Sequence, residues 1–148
     1  MSDYDLIIQG GLVANACSSF AADIGIKDGK IAGLGLGLQG RETIDARGKY
    51  VVPGGIETHC HIAQESATGA MTADDYLSGS ISAAFGGNTT FVPFAAQHRG
   101  QTIADVLQTY DDRAAPNSVI DYSYHLIVSD PTDTVLHEEL PAAFARGI

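Results

Sequence analysis

From residue 51 onward the sequence alternates between apolar runs that suit a strand and apolar residues at helical spacing, three times over. In residues 51–61, VVPGGIETHCH, Val51 and Val52 read as the tail of a buried strand, Pro53-Gly54-Gly55 allows a tight backbone, and His59 and His61 close the first strand of the alternation. Tyr76, Leu77, Ser80, Ile81, Ala84 and Phe85 then recur at i, i+3/i+4 and predict one buried helix face, ended by Gly86-Gly87. Thr72 is the expected cap of that helix, with Asp74 and Asp75 in its positive first turn. Residues 89–94 form the second strand, with Pro93 placed near its end, where a missing N–H matters least. Thr102 caps a second helix on Ile103, Val106, Leu107 and Tyr110, and Pro116 closes that region. Residues 119–128 are the third strand. Residues 134–146 are the third helix, with Pro141 a blemish inside it and Gly147 its terminator. Such alternation specifies parallel βα units, an α/β fold.

The first third has a different character. Residues 5–9 and 12–14 flank Gly10-Gly11, an expected turn, and residues 23–27 and 30–32 flank Asp28-Gly29, a strong hairpin signal. Residues 35–40, GLGLQG, match GxGxxG, but a strand-like run at 41–45 follows where a dinucleotide fold needs a helix. The stretch therefore reads as a flexible loop. Residues 1–52 form a small all-β unit, and residues 53–148 carry the βα units.

Strand ends matter in such a fold, because parallel α/β barrels place their sites on the loops after the strands. Side chains two apart on a strand share a face, so His59 and His61 aim both imidazoles at one point, spaced to grip one metal ion. An isolated pair of this kind also suits ordinary surface or core histidines; the apolar strand before it, the acid Glu57 on the same face and the helix soon after favour the metal. Glu57 is either an outer partner orienting a ligand histidine or a strand-end acid in a structural hydrogen bond. Cys60 faces the other way and reads as a packed residue, as does Cys17 in the β unit. The 63–71 and 95–100 loops are candidates for the substrate side, with Gln64, Met71 and His98 as candidate contacts, though plain surface loops look the same in sequence. His98 in that role competes with a solvated loop histidine. His125 is expected to be structural, and His137 to lie on the surface.

Three βα units cannot close a (β/α)₈ barrel, which needs about 250 residues. An open layer of three strands would leave apolar edges bare, so the chain is expected to be part of a longer one or to be completed by another polypeptide. Ile148 agrees, opening an apolar segment after a helix terminator. The net charge of −10 disfavours nucleic acid and anionic membranes as partners. The acidic start lacks the features of a secretory signal, and no apolar run approaches membrane-spanning length. Two cysteines are too few for a disulfide framework, which points to a reducing cytoplasm.

At this point a resemblance carries the reading further. Residues 53–61, PGGIETHCH, are similar to the first-strand PGGxDxHxH signature of the cyclic amidohydrolases, in the dihydropyrimidinase/hydantoinase branch. DARGK at 45–49 resembles the run-in to that strand. TADD at 72–75 with AFGGNTT at 84–90 resembles the first helix and second strand, and IDY at 120–122 with HLIV at 125–128 the third strand. Glu57 stands where that family usually has Asp. The resemblance covers essentially the whole chain.

It implies a metal-dependent TIM (β/α)₈ barrel, of which residues 53–148 are the first three βα units, preceded by part of a β-sandwich from the N-terminal strands. It implies two divalent ions, zinc with manganese as the alternative, bridged by a carboxylated lysine expected beyond Ile148. His59 and His61 bind one ion; the remaining ligands and a catalytic aspartate are not in this sequence, so no catalytic residue is assigned within it and the segment alone is expected to be inactive. A metal-bridging hydroxide then opens a small cyclic amide or imide, of hydantoin or dihydropyrimidine type, to an N-carbamoyl amino acid. A homotetramer is usual in the family. Allantoinase or another ring-opening amidohydrolase is the nearest alternative. A non-catalytic scaffold like the collapsin-response-mediator proteins is the alternative of another class, and intact His59 and His61 argue against it.

Overall fold

The computed structural model describes residues 3–66 and 68–148; residues 1, 2 and 67, which open the expected sandwich segment and lie within the 63–71 loop, are outside that description. The chain divides into two units after Pro53.

In the first unit, β1 (Tyr4–Ala14) pairs antiparallel with β2 (Ser19–Lys27), which pairs antiparallel with β3 (Lys30–Gly35). On its other side β1 runs parallel first to β4 (Gly40–Asp45) and then to β5 (Tyr50–Val51). These strands form one five-stranded sheet. Asp28 and Gly29 both take positive φ, 51° and 72°, as a tight primed hairpin turn requires, and pair Lys27 with Lys30.

Gly10-Gly11 behaves otherwise than expected. It does not turn the chain; β1 continues through it with a bulge between Ile8 and Gly11, where Gly10 takes φ 74°. The bulge is held from across the sheet. Asp23, almost fully buried, accepts the Gly10 N–H on Oδ1 (2.8 Å) and the Gly37 and Leu38 N–H groups on Oδ2 (2.7 and 3.2 Å). One carboxylate thus fixes both the bulge and the 35–40 loop, and strand β4 follows that loop, not a helix. Cys17 is also corrected: it is exposed in a turn whose amides, its own and that of Ser18, are accepted by Asn15 Oδ1.

In the second unit the order is β6 (Gly55–Cys60), α1 (Tyr76–Phe85), β7 (Asn88–Ala96), α2 (Ile103–Ala114), β8 (Asp121–Tyr122), β9 (His125–Ile127), a π-helical turn (Val135–Glu139) and α3 (Leu140–Ala145). β6, β8 and β9 all lie parallel to the central β7, as the alternation predicts. Val51 and Val52 are not the tail of a buried strand, however. Val51 ends β5, Val52 is 62% exposed, and β6 starts only at Gly55. Gly54 is required there, because a Cβ on it would collide with the Thr89 side chain of β7.

Pro93 explains a second departure. It lies inside a nine-residue central strand, not near its end. Both neighbouring ladders are interrupted around it: β6 shifts register between Glu57 and Cys60, and the expected 119–128 strand splits into β8 and β9, with no pair between Phe91↔Tyr122 and Phe94↔His125. The missing Pro93 N–H removes one ladder bond on the β8 and β9 side, while Cys60 still pairs with Pro93 on the β6 side.

The helices are built as follows. The cap of α1 is Asp75, whose carboxylate accepts the Ser78 N–H (2.7 Å) while Ser78 Oγ accepts the Asp75 N–H (3.2 Å), a capping box. Thr72 instead accepts the Gln64 N–H on Oγ1 (3.1 Å) and closes the preceding loop. The buried residues of α1 are Tyr76, Gly79 and Ser80; Leu77, Ile81 and Phe85 are exposed, so the apolar stripe is wider than the face that this sheet covers. Helix α2 agrees with expectation, capped by Thr102 and burying Ile103, Val106, Leu107 and Tyr110. Its first amide, on Ile103, is donated to Glu139 Oε2 (2.7 Å), which lies 36 residues on.

Pro141 lacks an N–H and its ring crowds the carbonyl four residues back. The chain ahead of it widens into the π turn, where the Leu140 N–H reaches the Val135 carbonyl. Gly147 follows at φ 95°. Phe91, Tyr76, Ile103, Leu107 and Tyr124 centre the core between sheet and helices. Among the described residues no helix is long and apolar enough to cross a membrane.

Candidate active site

His59 and His61 stand where β6 ends, with ring centroids 5.6 Å apart and planes nearly perpendicular, both rings exposed. Strand spacing alone brings them this close. What holds them is Phe94, near the end of β7: its ring stacks on His61 (4.9 Å, 13°) and meets His59 edge-on (4.9 Å, 73°). It also meets His125 at 5.1 Å. Sequence reading treats Phe94 only as the end of a strand.

His125 is structural, as expected. Its Nε2 lies 2.8 Å from the Thr58 carbonyl, which can only accept, so Nε2 carries the proton and ties β9 to β6. Glu57 also has a defined partner. Its Oε1 accepts the backbone N–H of His59 (2.8 Å), in the stretch where the β6 ladder is interrupted. Glu57 therefore orients the main chain of His59; among the described residues its carboxylate bonds no imidazole. Cys60 is half-buried and packs on the core from the opposite side of the strand. Burial, and then the nearby Glu57 carboxylate, push its thiol up from the usual value.

The loop after His61 is anchored on both flanks. Ala63 holds φ 47°, a left-handed conformation rare outside glycine. Its N–H is donated to the Asp74 carbonyl (2.9 Å), and its carbonyl accepts Arg113 Nη1 (3.0 Å) from α2. Arg113 also lies 3.5 Å from Glu65 and above the Tyr110 ring. Nothing in the sequence marks Arg113 for this work, since its loop partner Ala63 lies 50 residues away. Gln64 follows, with its Oε1 2.5 Å from His61 Nδ1.

The three loop candidates do not gather at one place. Gln64 and Met71 line an open concavity with His61. His98 lines a separate small cleft with Glu65, Gln101 and Arg113. Gln97 beside it is buried and fully engaged, donating to the Gln101 carbonyl and accepting the N–H groups of Ser129 and Asp130.

Two neighbouring imidazoles could supply two of the four ligands in the tetrahedral shell of a divalent ion. Among the described residues no group of three or more His, Cys, Asp or Glu side chains converges to complete one.

No family model matches the chain. It is 45% identical over 135 residues to a D-hydantoinase of Ralstonia pickettii, covering 90% of this chain and 29% of that protein. It is 35% identical over 150 residues to the dihydropyrimidinase of Rattus norvegicus, covering 97% of this chain and 29% of that one. A crystal structure of D-hydantoinase superposes with a TM-score of 0.87 at 42% identity, covering 94% of this chain and 30% of its own. The resemblance to the dihydropyrimidinase/hydantoinase enzymes is thereby borne out over nearly all of this chain, which spans about 30% of the length of those relatives.

Proposed function

We propose that this chain supplies the first metal-binding half-site of a cyclic amidohydrolase that opens hydantoin- or dihydropyrimidine-type rings to N-carbamoyl amino acids. The observation that carries the proposal is the convergence of His59 and His61 at the end of the first strand of a parallel sheet, in a chain 45% identical to a D-hydantoinase. In this reading residues 54–148 are the opening βα units of a barrel, and the first sheet is one part of a sandwich. The exposed stripe of Leu77, Ile81 and Phe85 supports it, because further βα units would cover that stripe.

His59 and His61 would hold one divalent ion through neutral imidazole nitrogens. A bound divalent ion supplies Lewis acidity for a carbonyl and makes hydroxide available near neutrality. The chain's own residues hold and shape the site. Phe94 fixes both rings and excludes water from one side of them. Glu57 fixes the backbone of His59, and Arg113 fixes the loop that carries Gln64. Gln64 and Met71 line the concavity beside His61 and are placed to meet a small ring. A second ion, zinc or manganese identity, a bridging carboxylated lysine from a fourth βα unit, a homotetramer and a cytoplasmic setting complete the reading and are supported by the resemblance alone.

The test is zinc content and hydantoin or dihydrouracil turnover of the full-length protein. Bound metal, with turnover that a chelator abolishes, is the expected result. A full-length protein that binds no zinc or manganese and opens neither ring would overturn the reading in favour of a non-catalytic scaffold.

A further inference from the structure

We infer that Gln64 is a positioning residue for His61: its side-chain carbonyl accepts the Nδ1 proton of the imidazole, so that the lone pair is left on Nε2 for the metal. The inference rests on the metal reading above. It gives Gln64 a role beyond the substrate-side contact that the sequence suggests.

The contact itself is His61 Nδ1 to Gln64 Oε1, at 2.5 Å. A neutral imidazole has one N–H and one lone pair, and the acceptor that takes the proton decides which nitrogen can bind an ion. An amide oxygen can only accept. If the amide were turned round, its NH₂ would occupy the Nδ1 lone pair and leave the proton on Nε2, an arrangement that cannot ligate. The chemistry of a metal-binding His61 therefore selects the oxygen orientation.

Gln64 is held in place independently of the imidazole. Thr72 Oγ1 accepts its N–H (3.1 Å), and its carbonyl accepts the Thr72 N–H (3.0 Å). The residue before it, Ala63, is pinned in a left-handed conformation between Asp74 and Arg113. Strained backbone of this kind persists only where the surroundings fix it. The scaffold thus fixes the main chain of Gln64 beside His61, within reach of the ring. Glu57, the acid that sequence pattern places on the same face, is already engaged on the His59 amide.

The test compares the full-length protein with Gln64→Met, which keeps the length and loses the acceptor, and with Gln64→Glu, which keeps an acceptor. Zinc is titrated into the metal-free proteins against a competing chelator. The tautomer of His61 is read in the metal-free proteins by NMR of ¹⁵N-labelled histidine, with the His61 signal assigned by substitution. Gln64→Met should weaken zinc binding by about tenfold to a hundredfold, the usual effect of losing an outer partner of a ligand histidine. It should also replace the single Nδ1–H tautomer by a mixture, whereas Gln64→Glu should retain wild-type behaviour in both measurements. Zinc affinity unchanged in Gln64→Met, or a wild-type His61 found as the Nε2–H tautomer, would overturn the inference while leaving the metal reading intact. A wild-type protein that binds no zinc would overturn both. The tautomer of the wild type is decisive even if a variant fails to fold.

Discussion

The first unit buries a carboxylate and the second exposes a pair of imidazoles, and the two are used in opposite ways. Both oxygens of Asp23 are occupied by backbone amides of its own unit, from Gly10, Gly37 and Leu38. Among the described residues the ring of His59 makes no hydrogen bond, and that of His61 makes one, to Gln64. A polar group whose bonds are completed inside its own unit holds the fold together. One whose bonds stay open is available to a ligand. Gln97 shows that position does not decide the matter: it lies at the strand ends, beside His98, and every polar atom of its amide that bonds does so to backbone.

The contrast is sharpest in a reciprocal pair of substitutions. His59→Ala in the full-length protein should lower zinc affinity by about a hundredfold or more, equivalent to about 2.7 kcal/mol, with little change in unfolding. Asp23→Ala strands three amide donors and should cost about 2 kcal/mol in urea unfolding, with zinc affinity unchanged. If Asp23→Ala weakened zinc binding as much as His59→Ala, the distinction between the two units would be lost. Gln97→Ala should follow Asp23 and not His59, lowering stability by about 1.5 kcal/mol with zinc affinity preserved, and a reversal of that pattern would move Gln97 into the site.

The smallest effect belongs to Asp45. The Arg47 guanidinium, and after it the Arg47 backbone N–H, hold its carboxyl down at about 2. Because the folded pKa is lowered, any stabilisation from the pair is present above the ordinary carboxyl range and fades as pH falls through about 2. The pair is exposed, so Arg47→Ala should return the Asp45 titration toward its ordinary value in a ¹³C-detected experiment without measurable loss of stability at neutral pH. A clear loss would show that an exposed pair also holds the fold.

What was legible in the sequence was what neighbouring residues decide. Asp28-Gly29 makes its hairpin because two adjacent residues tolerate positive φ. Thr102 caps α2 through an amide three residues on, and the two-residue spacing of His59 and His61 brings their rings together. What escaped depends on residues far apart. Gly10-Gly11 bulges instead of turning because Asp23 across the sheet takes the Gly10 amide. The 119–128 strand breaks because Pro93 belongs to the strand beside it. Phe94 and Arg113 give no local sign that they clamp histidines and a loop, since an aromatic strand end and a helical arginine have many commoner uses. The α1 stripe misled for another reason: helical spacing reports which residues are apolar and not which partner covers them, and Phe85 is left 92% exposed.

Pro93 has a mechanical consequence. The ladder interruptions on its two sides fall at one level and divide the parallel sheet into two tiers. The lower tier keeps its own run of pairs, while the upper tier carries His59, Phe94 and His125. Fewer ladder bonds cross that level, so amides of the upper tier are expected to exchange with solvent faster than those of the lower one. The proline marks a seam in the ladder, with the histidines on one side of it.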